Sequence, residues 1–313
     1  MYILFPIGYP INIIMPLTEV KLQTMGHFKG WYFKCCTDDK TIAFIPAYHS
    51  SNNKTTASLQ IITDDAAYHV PFHTIKYNDK PLYVKLGDCK FTECGISLNY
   101  QSNDISFEGI LRFQPLSPIR YDIMGPFALI PFMQCRHSVY SMTHKIDGQI
   151  KVNNQLFTFH NSVGYIEGDR GYSFPKRYIW TQCCFENNSL MLSVADIPML
   201  GFHFTGIIGV VLLNRKEYRI ATYLGARIKR TGANTVTVKQ GDYALTARLL
   251  KKNAQPLWAP ANGSMCRTIH ESASCKAYYR FTYKQKVLCE FVSDKASFEF
   301  EYPSSSSFTT FSL

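Results

Sequence analysis

Ile105-Ser-Phe-Glu-Gly-Ile-Leu-Arg-Phe113 decides the fold. Ile105, Phe107, Leu111 and Phe113 share one face of an extended chain, and Glu108 and Arg112 fall on the other. That alternation describes a strand packed on one side and wet on the other. It recurs from end to end. Ile150 to Phe159 reads as a hairpin turning at Asn153-Asn154, a pair that tolerates the left-handed backbone of a tight turn. Thr235 to Lys239 and Asp242 to Leu250 make another, turning at Gln240-Gly241. Ala277 to Phe291 makes a third, with Lys284-Gln-Lys286 at its tip.

Helical periodicity is nearly absent. Only Asn214 to Tyr223 and the stretch around Asp196 to Phe204 have room for a short helical turn. Many short strands with frequent turn signals predict an all-β chain, an antiparallel β-barrel or sandwich. At 313 residues a single eight-stranded barrel leaves chain over, so two barrel-like halves or one enlarged barrel are expected. We divide the chain into an extended arm over residues 1–25, a first half over 26–145 and a second half over 146–313, joined near Met142 to Gly148. Gly30-Trp-Tyr-Phe-Lys34 and Gly164-Tyr-Ile-Glu-Gly-Asp169 each precede a strand and form a weak internal echo.

Hydrophobic residues make up 46% and charged residues 18%, which excludes a disordered chain and supplies a sizeable core. No apolar run reaches the roughly 18 residues of a membrane-spanning helix. The apolar start, Met1 to Pro16, carries no Lys or Arg and is broken by Pro6, Pro10 and Pro16, so it does not read as a secretory signal. The formal charge is +10, and Asn214 to Lys252 concentrates it, with ten basic residues against two acidic ones. Such a face serves nucleic acid, an anionic membrane surface touched peripherally, or an acidic ligand, or it simply guards solvated strand edges. No nucleic-acid motif accompanies it, and nucleic acid is set aside as a partner. Ten cysteines are scattered or, at Cys35-Cys36 and Cys183-Cys184, adjacent, without CxxC or HExxH. Free thiols in a reducing, cytoplasmic compartment and no metal site are expected, which leaves the Asn-X-Ser/Thr triplets at Asn53, Asn187 and Asn262 without meaning.

Chemistry concentrates in a few segments. Glu167 and Asp169 stand two residues apart, so an extended chain turns both carboxylates to one side. Trp180 and Gln182 likewise share a face, an aromatic wall beside an amide. An acidic pair at the mouth of an aromatic-lined barrel can hold a proton, because burial and a like-charged neighbour both disfavour ionisation. The competing reading pairs Glu167 and Asp169 with Arg170, Lys176 or Arg177 to pin a turn. His137 and His144 read equally as hydrogen-bonded barrel residues or as proton carriers. No GxSxG, GxGxxG or phosphate-cradling loop is found.

Taken together these segments resemble the tocopherol cyclase family. The most specific block is Gly164-Tyr-Ile-Glu-Gly-Asp-Arg-Gly-Tyr-Ser-Phe-Pro-Lys-Arg-Tyr-Ile-Trp-Thr-Gln182, where the family has a GYIE-DWG-SFP-WIW-Q pattern. Met124-Gly-Pro-Phe127 with Pro131-Phe-Met133, and Ala221-Thr-Tyr-Leu-Gly225, look like two further family blocks. The resemblance implies a lipocalin-like two-part barrel and, in plant and cyanobacterial members, cofactor-free closure of a chromanol ring on a prenylated hydroquinone. Acid protonates the prenyl double bond and the phenolic oxygen captures the cation. Two positions depart from the pattern: Arg170 stands where the family has Trp, and Gln134 where it has Glu.

On this basis Glu167 or Asp169 is the candidate acid, and His137 or His144 the partner that receives the phenolic proton. Trp31, Tyr32, Phe174, Trp180 and Tyr223 are expected to line the cavity, and Gln182 to orient a ring substituent. Arg170 is expected at a carboxylate or phosphate head group. The expected partner is a hydrophobic small molecule, with no cofactor. Two alternatives stand beside the cyclase-like isomerase: a non-catalytic carrier of the same ligand, and a hydratase that traps the cation with water.

Overall fold

The computed structural model describes residues 26–51, 54–131, 133–199, 202–253, 255–261 and 264–301. The arm expected over residues 1–25 lies outside them, as do Asn53 and Asn262. Strands dominate, and the only helical elements among the described residues are the short 3-10 turns Gly125–Leu129 and Thr222–Leu224. The first eleven strands form one antiparallel sheet. They are β1 (His27–Cys36), β2 (Thr41–Ser51), β3 (Lys54–Thr63), β4 (Ala67–Phe72), β5 (Lys76–Asp79), β6 (Leu82–Leu86), β7 (Cys89–Thr92), β8 (Gly95–Gln101), β9 (Ser106–Phe113), β10 (Cys135–Val152) and β11 (Gln155–Gly171). Their order is β4-β3-β2-β1-β11-β10-β9-β8-β7-β6-β5, so the last strand closes beside the first.

The second sheet repeats this logic with β12 (Tyr178–Phe185), β13 (Asn188–Met199), β14 (Phe202–Leu213), β15 (Lys216–Ala221), β16 (Arg227–Gly232), β17 (Thr235–Gln240), β18 (Tyr243–Lys251), β19 (Gln255–Ala261), β20 (Ser264–Tyr283) and β21 (Lys286–Glu301). Here β12 pairs with β21, and β19 hangs off β20. The fold is therefore all-β, two curled half-barrels of antiparallel strands. The chain crosses from one sheet to the other between Gly171 and Tyr178, whereas Met142 to Gly148 lie inside β10. By position in their sheets β1 and β12 correspond, not β1 and the Gly164 to Asp169 stretch of β11.

The turns carry the backbone geometry that their residues allow. Asn153 adopts φ 51° between β10 and β11, and Lys284 and Gln285 adopt φ 46° and 67° between β20 and β21. Asn214 and Arg215, at φ 52° and 63°, make a hairpin turn, Lys216–Ala221 is strand, and the short helical turn expected in Asn214 to Tyr223 is found only at its end, in Thr222–Leu224; Asp196–Met199 belongs to β13 and Phe202–Phe204 to β14, where pairing with neighbouring strands overrides a weak helical period. β15 and β16, the two edges of the second sheet, carry Lys216, Arg219, Arg227, Lys229 and Arg230. The nine cysteines whose side chains are described are free.

Alternation along each strand sorts the core into three layers. Trp31, Phe33, Phe44, Phe91, Phe107 and Phe157 fill the curl of the first sheet. Val211, Val238, Leu245, Tyr279, Phe281 and Phe298 fill the second. The opposite faces of β1, β11 and β12 meet in a seam built from Tyr32, Met142, Tyr165, Tyr178, Trp180 and Leu257. Each curl is thus filled by large apolar side chains of its own sheet.

Candidate functional site

A cavity of about 160 Å³ lies in that seam. Phe28, Gly30 and Tyr32 from β1, Glu167 and Asp169 from β11, His137 from β10, and Tyr178 and Trp180 from β12 contribute to its wall, with Ile45, Ile208 and Leu257 among its apolar lining. The strand register explains the grouping. Gly30 pairs with Asp169 and Asp169 with His137, while Tyr32 pairs with Glu167 two residues along. Residues in register on one face have neighbouring side chains, so one row sets an imidazole beside a carboxylate and the next sets an aromatic ring beside another. Gly30 presents no side chain, and the space above it belongs to the cavity.

His137 is the centre of the polar wall. Its Nδ1 lies 2.9 Å from Asp169 Oδ1 and its Nε2 3.1 Å from Glu167 Oε2. The second contact is close but poorly aligned as a hydrogen bond, so Nε2 meets Glu167 chiefly as charge. Burial by itself would push the imidazole down, but the two carboxylates outweigh it and hold His137 well above its ordinary value. The carboxylates have other donors as well. Tyr165 donates its hydroxyl to Glu167 Oε2 at 2.5 Å, and Cys135 Sγ lies 3.5 Å from Asp169 Oδ1. Burial first, and then Glu167, raise the Tyr165 hydroxyl, which therefore stays a donor. The sequence offers Arg170, Lys176 or Arg177 as the partner of these carboxylates; His137 stands beside both of them, and Arg177 lies 2.6 Å from Asp196.

His137, Glu167 and Asp169 also offer ligand atoms within 4.8 Å of one another, a donor set of one imidazole and two carboxylates that suits a divalent ion as well as a proton.

The residues expected at the site divide in two. Trp31, Tyr32, Phe174 and Trp180 do line the cavity, with Tyr32 edge-on to Trp180 at 5.6 Å and Phe174 edge-on to Phe28 at 5.3 Å. His144, Gln182, Tyr223 and Arg170 are not in its lining. His144 lies buried against Phe113 with Nδ1 3.1 Å from Ser141 Oγ, and burial pushes it down to about 3. Gln182 accepts from the fully buried Lys34 at 3.2 Å, in a polar knot with Ser297 that crosses the seam below Tyr32. Tyr223 props the Gly125–Leu129 turn from behind, its hydroxyl donating to Ile123 O at 3.2 Å and its ring set against Phe127. Arg170, one residue from Asp169 on the strand, faces the other way and is exposed.

Sequence reasoning missed Tyr165, Tyr178, Glu299, His49 and Gln60. Only Tyr165 carried a local signal, its i, i+2 relation to Glu167. Glu299 and Tyr178 come together because β21 pairs with β12, a link between residues 121 positions apart. Gln134 lines the cavity, and its amide nitrogen donates to Phe174 O at 3.3 Å.

No family model matches this chain, and no curated protein matches its sequence. Solved structures do resemble it. CghA, crystallised with Sch210972, superposes with a TM-score of 0.60 at 6% identity, over 90% of this chain and 89% of that one. Kievitone hydratase from Nectria haematococca gives a TM-score of 0.50 at 9% identity, over 93% and 94%. At such identities the likeness is one of fold, a lipocalin-like β architecture in two halves. No helix among the described residues is long and apolar enough to cross a membrane.

Proposed function

We propose that the chain is an acid–base enzyme, a cyclase-like isomerase acting without a cofactor on an apolar prenylated phenol or hydroquinone held in the seam cavity. One observation carries this reading: an imidazole buried between two carboxylates on the wall of an otherwise apolar, aromatic-lined cavity. Protons in such a cluster belong to the group as a whole. In the reaction the proton stored on His137 passes through Glu167 or Asp169 to an isolated double bond of the substrate. The tertiary cation that results faces two carboxylates and the rings of Tyr32 and Trp180, all of which favour positive charge. The phenolic oxygen closes on it, and its proton returns to the imidazole. One proton enters the substrate and one leaves, so the cluster ends as it began. Apolar walls exclude the water that would quench the cation.

A hydratase is the second reading. The Asp169 side chain is 25% exposed, so water reaches the edge of the cluster and can take the place of the phenolic oxygen.

The test is turnover of a panel of prenylated phenols beside equilibrium binding of the same compounds. Glu167→Gln, Asp169→Asn and His137→Gln should keep binding and lose roughly 10²–10⁴-fold in turnover, the range for removing a positioned acid or base. A chelator should leave turnover unchanged; activity lost to chelation and restored by a divalent ion would hand the cluster to a metal. Unchanged ligand binding with no turnover by the wild type on any panel member would make the protein a carrier.

A further inference from the structure

The second half brings its own tyrosine–glutamate pair to the same cavity. Tyr178, on β12, donates its hydroxyl to Glu299 on β21, and both side chains line the cavity. Both are buried, Tyr178 at 6% and Glu299 at 7% exposure. Burial foremost, and then the Glu299 charge, raise the Tyr178 hydroxyl, so the tyrosine remains the donor and the carboxylate the acceptor. The first half does the same with Tyr165 and Glu167.

Register and ring packing relate the two pairs across the seam. Glu167 stands opposite Tyr32 between β11 and β1, and Glu299 stands opposite Trp180 between β21 and β12. Tyr32 and Trp180 meet edge-on, with an interplanar angle of 80°. A carboxylate therefore flanks this aromatic pair on each side, one from each half. A planar ring seated on Tyr32 and Trp180 has the His137 cluster at one rim and Glu299 at the other. Gln182, the amide expected from the sequence to orient a ring substituent, is occupied with Lys34 instead.

We propose that Glu299 is a second polar anchor of the cavity: its carboxylate, held in place by Tyr178, accepts the O–H of a hydroxyl on the ligand's aromatic ring. The inference rests on the reading of the cavity as a pocket for phenolic molecules, and names the group that recognises them. A buried carboxylate bonds an O–H donor strongly and loses that bond entirely to a methyl ether of the same shape. Glu299 then fixes which edge of the ring faces the acid cluster. Tyr178 is a positioning residue that aims the carboxylate.

The experiment uses the full chain and two probes, 2-naphthol and 2-methoxynaphthalene, with binding followed by fluorescence. The wild type should bind the naphthol at least about tenfold more tightly, the lower end of what a hydrogen bond to a charged group supplies. Glu299→Gln should bring the two probes to within about twofold, since an amide bonds a neutral hydroxyl far less strongly than a carboxylate does. Tyr178→Phe should reduce the preference without abolishing it, and Glu167→Gln should keep it. If Glu299→Gln proves unfolded by circular dichroism, Glu299→Asp, which keeps the charge and shortens its reach, carries the same comparison. A preference untouched in the Glu299 variant, one lost equally in Glu167→Gln, or a wild type that binds neither probe overturns the proposal. Because the readout is a binding ratio, it stands apart from turnover: a protein that prefers the naphthol through Glu299 but never turns over a substrate refutes the catalytic reading and leaves this one in place.

Discussion

Two histidines on one strand show how far the same side chain can be driven apart. His137 sits between two carboxylates and is held charged; His144 sits against Phe113 and Ser141 with no acid near it, and burial holds it neutral down to about 3. The linkage to stability has opposite signs. The folded-state value of His137 is raised, so its contribution is present below about 6.5, the unfolded value, and is lost as pH rises through the higher folded value. The folded-state value of His144 is lowered, so folding is penalised as pH falls below about 6.5 toward 3. Denaturant titrations at stepped pH should show His144→Gln flattening the acid limb of the wild-type stability curve, by at most about 1.4 kcal/mol per pH unit. His137→Gln should instead remove stability at mildly acid pH and matter less as the solution becomes alkaline. An acid limb unchanged by His144→Gln would mean that this imidazole titrates normally in the fold.

At the scale of single strands, the alternation that was legible in the sequence is what sorts the site. β11 sends Tyr165, Glu167 and Asp169 into the seam and Ile166 into the first core, so the spacing of the two carboxylates did predict a shared face. What the strand alone did not reveal is its neighbours: His137 was readable as a candidate, but its place beside Asp169 comes from the pairing of β10 with β11 across an 18-residue hairpin arm with register shifts. Two glycines of the first sheet behave differently because they stand on opposite faces: Gly164, in step with Ile166, turns to the first core, and Gly30, in step with Tyr32, turns to the seam. A Cβ at Gly164 would lie 2.3 Å from His144 Nε2 and 2.6 Å from Ile146 Cδ1, whereas at Gly30 the nearest atom is Ala47 Cβ at an ordinary 3.5 Å. Gly164→Ala should therefore cost about 1–3 kcal/mol by overpacking, and Gly30→Ala close to nothing. Gly30→Leu should fold and lose ligand binding, because its side chain projects into the cavity beside Asp169. Thermal melts with a binding assay check all three, and equal melting points for the two alanine variants would contradict the packing described.

For the molecule as a whole, the seam is both the joint between the halves and the location of the site. Tyr32 and Lys34 of β1 face Trp180 and Gln182 of β12, the strands that hold corresponding places in the two sheets, and they meet as a ring pair and as a hydrogen bond. Lys34 is nearly fully buried, and its three partners, Gln182 Oε1, Ser297 Oγ and Lys295 O, all belong to the other half. A half expressed alone exposes the apolar seam to water and leaves that lysine without its acceptors. Residues 26–171 by themselves should aggregate or bind a hydrophobic dye, and should lack a cooperative unfolding transition. A soluble, cooperatively folding fragment would show that each curl is stable without the joint.

The all-β class, the hairpin turns at Asn153 and Lys284, the shared face of Glu167 and Asp169 and the aromatic character of Tyr32 and Trp180 were determined by local pattern, because side-chain period and turn chemistry act over a few residues. The location of the cavity was not. A strand pattern states that both faces of β1 are buried, but not which face meets its own curl and which meets the other half. Only the pairing of β1 with β11 and of β12 with β21, contacts between residues more than a hundred positions apart, moves Glu299 to the site and His144, Gln182, Arg170 and Tyr223 away from it. Long-range pairing depends on the energy of the assembled core, and no local stretch of chain carries it.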